Sequence, residues 1–208
     1  MKLYIIRHGE TEWNKEKKLQ GQSDVPLNEY GRELAKITAE ALKDVVFDEI
    51  YASPLIRALE TARIIKAERN INVKTDDRLK EISFGVFEGV PSNELGEQFS
   101  NFFFAPECYV PAEGGESYEE LCIRAGKFLE EVIYPLKNTD KTVLIVAHGA
   151  TNKALMLHLN KITIKDFWKG EFQKNCCVNL YDITEDSCKV IMEAKVYYEG
   201  KTTNYLER

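Results

Sequence analysis

Two stretches of this chain end in the same way. Leu3–Ile6 is an unbroken apolar run that stops on Arg7, His8 and Gly9, and Thr142–Ala147 (TVLIVA) stops on His148 and Gly149. A short continuous apolar run reads as a strand buried on both faces, which means a parallel sheet covered by helices. In open sheets of that kind ligands bind beyond the carboxyl ends of the strands. Both imidazoles are therefore expected on the ligand edge of one sheet, with Gly9 and Gly149 letting the backbone turn and a ligand come close. One histidine at a strand tip is most simply explained by a backbone partner; two in the same context point to a site. His158, in LMLHLN, has no such context and is expected to be structural or exposed.

The pattern between these strands is that of an α/β protein. Asn28 is placed to cap a helix running to about Leu42, with Leu34, Ile37, Ala41 and Leu42 on its apolar stripe. Val45–Ala52 reads as a second strand, and Ser53-Pro54 as the start of a helix reaching about Arg69. Residues 90–116 mix prolines, glycines and aromatics with little periodicity, and are expected to form a cap. Ser117 and Glu120 then make a capping box for an amphipathic helix. Thr151–Leu159 is predicted helical, and 177–184 and 188–196 as a hairpin about Glu185-Asp186. The alternation predicts a three-layer α/β/α arrangement with a mostly parallel central sheet, in one domain over 1–208 with a cap at about 90–116.

The composition narrows the function. With 28 Lys and Arg against 34 Asp and Glu, the net charge of -6 argues against nucleic-acid binding, which needs many phosphate-neutralising cations. A small anionic substrate needs only a local cluster. No run is long and apolar enough to span a membrane, and four apolar residues before Arg7 are too few for a signal peptide. Five cysteines without a CxxC pair are expected to be free thiols in a reducing cytoplasm. Three histidines and no ligand-spaced cysteines leave little basis for a metal site.

The cations supply the chemistry. Arg57 falls early in the helix after the second strand, beside the N–H groups and positive dipole of a helix start, and Arg7 arrives from the neighbouring strand tip. Two guanidiniums converging on two imidazoles suit phosphate, which arginine grips through paired N–H donors. Alone, Arg57 would be read as a solvated residue pairing with Glu60 or Thr61. Neutral imidazole is a competent nucleophile near pH 7. If one histidine attacks phosphorus, a carboxylic acid must protonate the leaving alkoxide. Glu81, in DDRLKEISFGVFEG, and Glu88 are the two candidates, and the residues themselves do not separate them.

The blocks RHGETEWN (7–14), LQGQSDVPLNEYG (19–31), YASPLIRALETA (51–62), LKEISFGVFEG (79–89), GGES (114–117) and VAHG (146–149) resemble, in order and spacing, the histidine phosphatase superfamily with its phosphoglycerate mutase-like fold. The resemblance implies that His8 is the nucleophile that becomes phosphohistidine. It implies a phosphate pocket of Arg7, Arg57 and His148, with Asn14 and Gly149 also on the phosphate and Gln20 on the substrate side. It makes Glu81 the general acid and then the base, and it implies no metal or other cofactor. Asn28 stands where the family more often has Thr; both cap a helix. The short stretch after Glu81 resembles the branch of broad-specificity and α-ribazole phosphatases, so the expected activity is hydrolysis of a small phosphorylated metabolite. A phosphoglycerate mutase-type transferase is the alternative, and a silent phospho-ligand binder a more distant one. Phe102, Phe103, Phe104 and Tyr109 either wall the leaving group or anchor the cap, with at least one expected in the cleft. Lys15, Lys17 and Lys18 read as a solvated loop, and Cys176 and Cys177 as inert. Neither the substrate nor the oligomeric state is legible.

Overall fold

The computed structural model describes residues 1–200, apart from the side chains of residues 97 and 98. Its strands are β1 (Lys2–Arg7), β2 (Glu49–Ala52), β3 (Val73–Thr75), β4 (Thr142–Ala147), β5 (Val178–Ile183) and β6 (Cys188–Lys195). They form one sheet in the order β3-β2-β4-β1-β5-β6. The first four are mutually parallel, β5 runs antiparallel to β1, and β6 runs antiparallel to β5. The helices are α1 (Glu12–Lys15), α2 (Glu29–Ala41), α3 (Ile56–Lys66), α4 (Gly96–Phe104), α5 (Tyr118–Phe128) and α6 (Gly149–Asn160).

Strand alternation divides the core in two. Leu3, Ile5, Val143, Ile145 and Tyr181 point to the side covered by α5, α6 and the segment around α4. Ile6, Leu144, Val146 and Val178 point to the other side, where Ile50, Ala58, Ala62 and Ile65 close the packing under α2 and α3. Helices on both faces remove every central strand from water, which is why β1 and β4 are apolar without alternation. This is the expected mostly parallel α/β sandwich.

The boundaries differ where tertiary partners intervene. α2 begins after Asn28 as expected, with Asn28 Oδ1 accepting from Gly31 N at 2.7 Å. α3 starts two residues later than Ser53-Pro54 predicts. Its first turn is capped from elsewhere: Asp24 Oδ1 accepts from Ile56 N at 2.6 Å, while Ser53 Oγ accepts from Leu55 N at 3.3 Å. α3 also stops at Lys66 rather than near Arg69, and Arg69 folds back to donate to the carbonyls of Val45, Leu42 and Ile65. β2 is shorter than the predicted strand. α5 has the expected capping box on Ser117 and continues as a π-turn over Leu129–Ile133. Within 90–116 lies α4, which the aromatic-rich sequence does not announce because its rings face several neighbours rather than one stripe.

No helix among the described residues is long and apolar enough to cross a membrane.

Candidate active site

Sheet register builds the core of the site. In the β1–β4 pair Arg7 lies opposite Ala147, so the residues that follow, His8 and His148, leave the sheet side by side. His8 N donates to Ala147 O at 3.0 Å, and the two rings sit with centroids 5.1 Å apart. β2 runs on the other side of β4, and Ser53 N donates to Val146 O at 3.0 Å. The helix after it, α3, delivers Arg57 from the adjacent tip. Three parallel strands thus aim one histidine, a second histidine and an arginine at one point.

His8 is nearly sealed, at 2 % exposure, and its Nδ1 lies 2.6 Å from Gly9 O. A carbonyl only accepts, so Nδ1 carries the proton and Nε2 keeps its lone pair. Burial, then the charges of Arg57 and Arg7, push the His8 pKa well below the usual imidazole value, so the ring is neutral near pH 7. Gly9 N in turn donates to Thr61 Oγ1 at 3.0 Å, and Thr61 Oγ1 donates to Arg57 O at 2.7 Å. The turn that orients His8 is therefore pinned to α3.

His148 is fully buried, and neither ring nitrogen has a hydrogen-bond partner among the described residues. Its pKa is also held well below normal, by burial first and then by Arg57 and His8. A buried polar ring with both nitrogens unsatisfied costs free energy unless a ligand arrives. His148 lies behind the open wall of the pocket, which His8, Gly149 and Ala150 line directly.

The arginines are fixed by carbonyls. Arg57 is wholly buried, with Nη1 donating to Ser23 O at 2.8 Å and Nη2 to Gly21 O at 2.7 Å. The partners a solvated Arg57 would have taken are engaged otherwise: Glu60 pairs with Arg32, and Thr61 binds Gly9 N and the Arg57 carbonyl, not its guanidinium. The start of α3 is not itself open to an anion, because Asp24 occupies Ile56 N, so the guanidinium carries that role alone. Arg7 Nη1 donates to Gln173 O at 2.6 Å, while its Nε is buried without a partner. Asn14 Oδ1 accepts from Thr11 N, Thr11 Oγ1 and Asn175 Nδ2, so what Asn14 presents to the pocket is its amide N–H end. Gln20 also lines the pocket and has its Oε1 buried without a partner.

The two candidate acids separate in space. Glu81 stands on the pocket wall, its Oε1 accepting from Ile82 N, Thr151 N and Thr151 Oγ1 and its Oε2 from Ala150 N at 3.2 Å. A carboxylate on the first N–H groups of a helix is a favourable pairing, and here it anchors Glu81 to the helix that follows His148. Glu88 lies outside the pocket lining and ties loops together, accepting from Gln22 N, Phe84 N and Ser23 Oγ.

The two strand-tip glycines do different jobs. A Cβ on Gly149 would lie 3.7 Å from Glu81 Oε2 and 3.8 Å from Arg7 Nε, inside the pocket, so this glycine does leave room for a ligand. A Cβ on Gly9 would lie 2.5 Å from Gly31 O, so the space at Gly9 is taken by the start of α2, not by a ligand. Ligand clearance, expected of both, holds for Gly149 only.

The pocket is a cleft open to solvent on one side. Opposite the polar cradle it is walled by Leu19, Phe84, Phe102, Phe103, Trp168 and Phe172. Of the cap aromatics, Phe102 and Phe103 face the cleft, Tyr109 is buried in the core and Phe104 is 80 % exposed. Trp168 Nε1 donates to Phe102 O at 2.7 Å, which fixes the wall. His158 is a half-buried structural residue, its Nε2 2.8 Å from Cys122 O. Lys15 and Lys18 pair with Glu12 and Glu16 on the surface.

Segment 168–177 is absent from the sequence-based site. It supplies Trp168, Phe172 and the Gln173 carbonyl, and Asn175 Nδ2 donates to His8 O at 3.1 Å. Cys176 N donates to Arg7 O at 3.1 Å, so this backbone touches the site although it is remote in sequence. The thiols themselves are buried, and burial pushes Cys177 up to about 12 and Cys176 higher still. Polar residues such as QKN before a strand look like any surface loop; only the antiparallel return of β5 beside β1 brings them here.

Paired strand-tip histidines, two buried guanidiniums and a facing carboxylate on a mostly parallel sheet define a phosphoryl-handling α/β protein. The sequence signature of the histidine phosphatase superfamily (branch 1) matches residues 3–194, and the chain belongs to that superfamily. It is similar to phosphoserine phosphatase 1 of Hydrogenobacter thermophilus, at 34% identity over 81% of this chain and 80% of that protein. It is 38% identical to an uncharacterized phosphatase of Bacillus subtilis, PhoE, over 75% and 76% of the two chains. It is also 35% identical to a 2,3-bisphosphoglycerate-dependent phosphoglycerate mutase of Cytophaga hutchinsonii, over 79% of each. Among solved structures, Bacillus stearothermophilus YhfR superposes with a TM-score of 0.86 at 33% identity, covering 94% of this chain and 97% of that one. Phosphoserine phosphatase of Entamoeba histolytica, in complex with 3-phosphoglyceric acid, superposes with a TM-score of 0.82 at 30% identity, over 94% and 97%.

Proposed function

We propose that this protein hydrolyses a small phosphomonoester through a phosphohistidine on His8. The observation that carries the reading is the His8 ring itself: buried, neutral, with Nδ1 committed to Gly9 O and Nε2 at the pocket. In the first step Nε2 forms a bond to phosphorus as the bond from phosphorus to the leaving oxygen breaks. Glu81, protonated, gives its proton to that oxygen, and the alcohol departs. In the second step water attacks phosphorus, Glu81 as carboxylate takes its proton, and the P–N bond breaks to release phosphate and restore the ring. Arg7, Arg57 and the N–H of Asn14 hold the non-bridging oxygens, and a neutral His148 donates one further hydrogen bond.

The charge of this site also supports a metal-independent route, because two guanidiniums already neutralise the phosphoryl group and would repel a divalent cation. The apolar wall across from the cradle acts as the seat of the leaving group, with 90–116 as its cap in a single domain. That wall supports hydrolysis over the mutase alternative, since the cations lining the pocket are Arg7 and Arg57 and both belong to the phosphate. A phosphoglycerate would bring a carboxylate that neither of these cations is left to pair. The relatives named for phosphatase activity support the same reading, and five free cysteines support a reducing, cytoplasmic setting.

The test is a screen of phosphorylated metabolites with 4-nitrophenyl phosphate as reference, in excess chelator, with trapping of acid-labile phosphate on the protein. Turnover should survive chelation, and His8→Ala should abolish both turnover and trapped phosphate. Bisphosphate-dependent interconversion of phosphoglycerates without phosphate release would instead establish the mutase.

A further inference from the structure

We infer that Arg124, backed by Glu116, is a positioning residue for Glu81, the acid of the reaction proposed above, on which this inference rests. Glu116 belongs to the GGES block, which carries the family resemblance without an assigned role, and Arg124 lies on α5 outside every motif. Neither lines the pocket.

The guanidinium of Arg124 grips the strip of backbone that presents Glu81. Nη1 donates to Arg78 O and Lys80 O, both at 2.6 Å, and Nη2 to Glu81 O at 3.0 Å. The remaining donors go to Glu116, Nε at 2.6 Å to Oε1 and Nη2 at 2.8 Å to Oε2. Arginine carries five N–H donors in a planar fork, and here all five are used. Glu116 also holds the far end of the strip, its N donating to Ser83 O at 2.8 Å and its Oε2 accepting from Ser83 N at 3.4 Å. Residues 78–83 are thus clamped from behind at four carbonyls and one amide. From the front, the Glu81 carboxylate rests on Ala150 N and Thr151 N.

The strip needs this clamp because it has no ladder of its own: β3 ends at Thr75, and a short turn over Asp77–Leu79 is all that precedes Glu81. An acid acts only when held within hydrogen-bond reach of the departing oxygen, and small displacements cost rate steeply. Arg124 and Glu116 are both mostly buried, with 17% and 15% of their side-chain surface exposed, so water does not compete for the grip.

Leaving-group dependence distinguishes positioning from bulk stability. An alkoxide needs the proton of Glu81 to depart, whereas 4-nitrophenolate leaves without one. kcat/KM reports the enzyme through its first phosphoryl transfer. Arg124→Met should lower kcat/KM for alkyl phosphates by about 10- to 100-fold, part of the 10²–10⁴ that a positioned acid supplies. For 4-nitrophenyl phosphate the loss should stay below about threefold, and Arg124→Lys should restore part of the alkyl activity. Glu116→Gln keeps the shape of the pair and should show the same pattern at smaller amplitude, so it decides the matter if Arg124→Met does not fold. Equal losses on both substrate types, or no loss on either, would overturn the positioning role. Absence of turnover by the unaltered protein would instead overturn the proposed hydrolysis.

Discussion

Lowering the pH from 7.0 to 5.5 without phosphate should destabilise the fold through His8 and His148. Both are buried and held neutral, by desolvation first and by the neighbouring arginines in addition. In the unfolded chain each titrates near pH 6.5, so below that value the unfolded state binds protons the folded state refuses. Their contribution is complete above pH 6.5 and is lost as the pH falls toward their depressed folded values. At pH 5.5 an unfolded histidine is about nine-tenths protonated, which makes the loss from pH 7.0 approach about 1.2 kcal/mol each, or about 2.5 kcal/mol for the pair. A chain of this size shifts about 2–4 °C per kcal/mol, so Tm should fall by about 5–10 °C from this source. Carboxylates titrate as well, and the comparison that isolates the histidines is a double variant, His8→Asn with His148→Asn. Urea unfolding at both pH values should show the variant losing about 2.5 kcal/mol less than the parent. Parallel pH dependences would mean that the rings protonate freely in the folded site, and the account of a neutral nucleophile would fail.

Other expectations follow from single contacts. Thr61→Val removes the acceptor of Gly9 N and leaves a buried donor unpaired; thermal melts should show a loss of about 1–3 kcal/mol, and kcat should fall with it because Gly9 orients His8. Glu88→Gln should weaken the loop clasp while keeping substantial turnover, whereas Glu81→Gln should remove turnover of alkyl phosphates and also lower Tm, because its amide N–H₂ replaces one acceptor of the first N–H groups of α6; turnover lost with Glu88→Gln and kept with Glu81→Gln would exchange the two acids. Gly149→Ala meets only ordinary contacts, so its Tm should hold, while the new methyl between Glu81 and Arg7 raises KM or blocks binding of inorganic phosphate in a calorimetric titration.

Particular elements show what was legible. The β1 and β4 patterns, the capping residues Asn28 and Ser117, and the paired His-Gly tips were all readable, because apolar runs and caps are local signals. Arg7, Arg57 and Gly149 fall on the pocket with His8, with His148 just behind, because each sits at or near a strand tip or helix start whose position the topology dictates; Asn14 and Gln20, which only the family resemblance singled out, line it as well. Hidden from the sequence were Asp24 as the cap of α3, the packing of Gly9 against Gly31, and the whole of segment 168–177. Their effect depends on partners far along the chain, and no local pattern encodes them.

The sequence by itself determined the central strands β1, β2 and β4 and the terminal hairpin, their burial, and which residue types would stand at the ligand edge, since hydrophobic periodicity and strand-end chemistry act over a few residues; the short edge strand β3 gave no such signal. Which carboxyl faces the pocket, named in the sequence only through the family resemblance, is decided physically by the tertiary structure. Glu81 and Glu88 share one loop, but the N-terminus of α6 takes one and the Gln22–Ser23 turn takes the other. The physical reason is that a carboxylate goes where buried N–H and O–H donors converge, and that convergence exists only after the strands have paired.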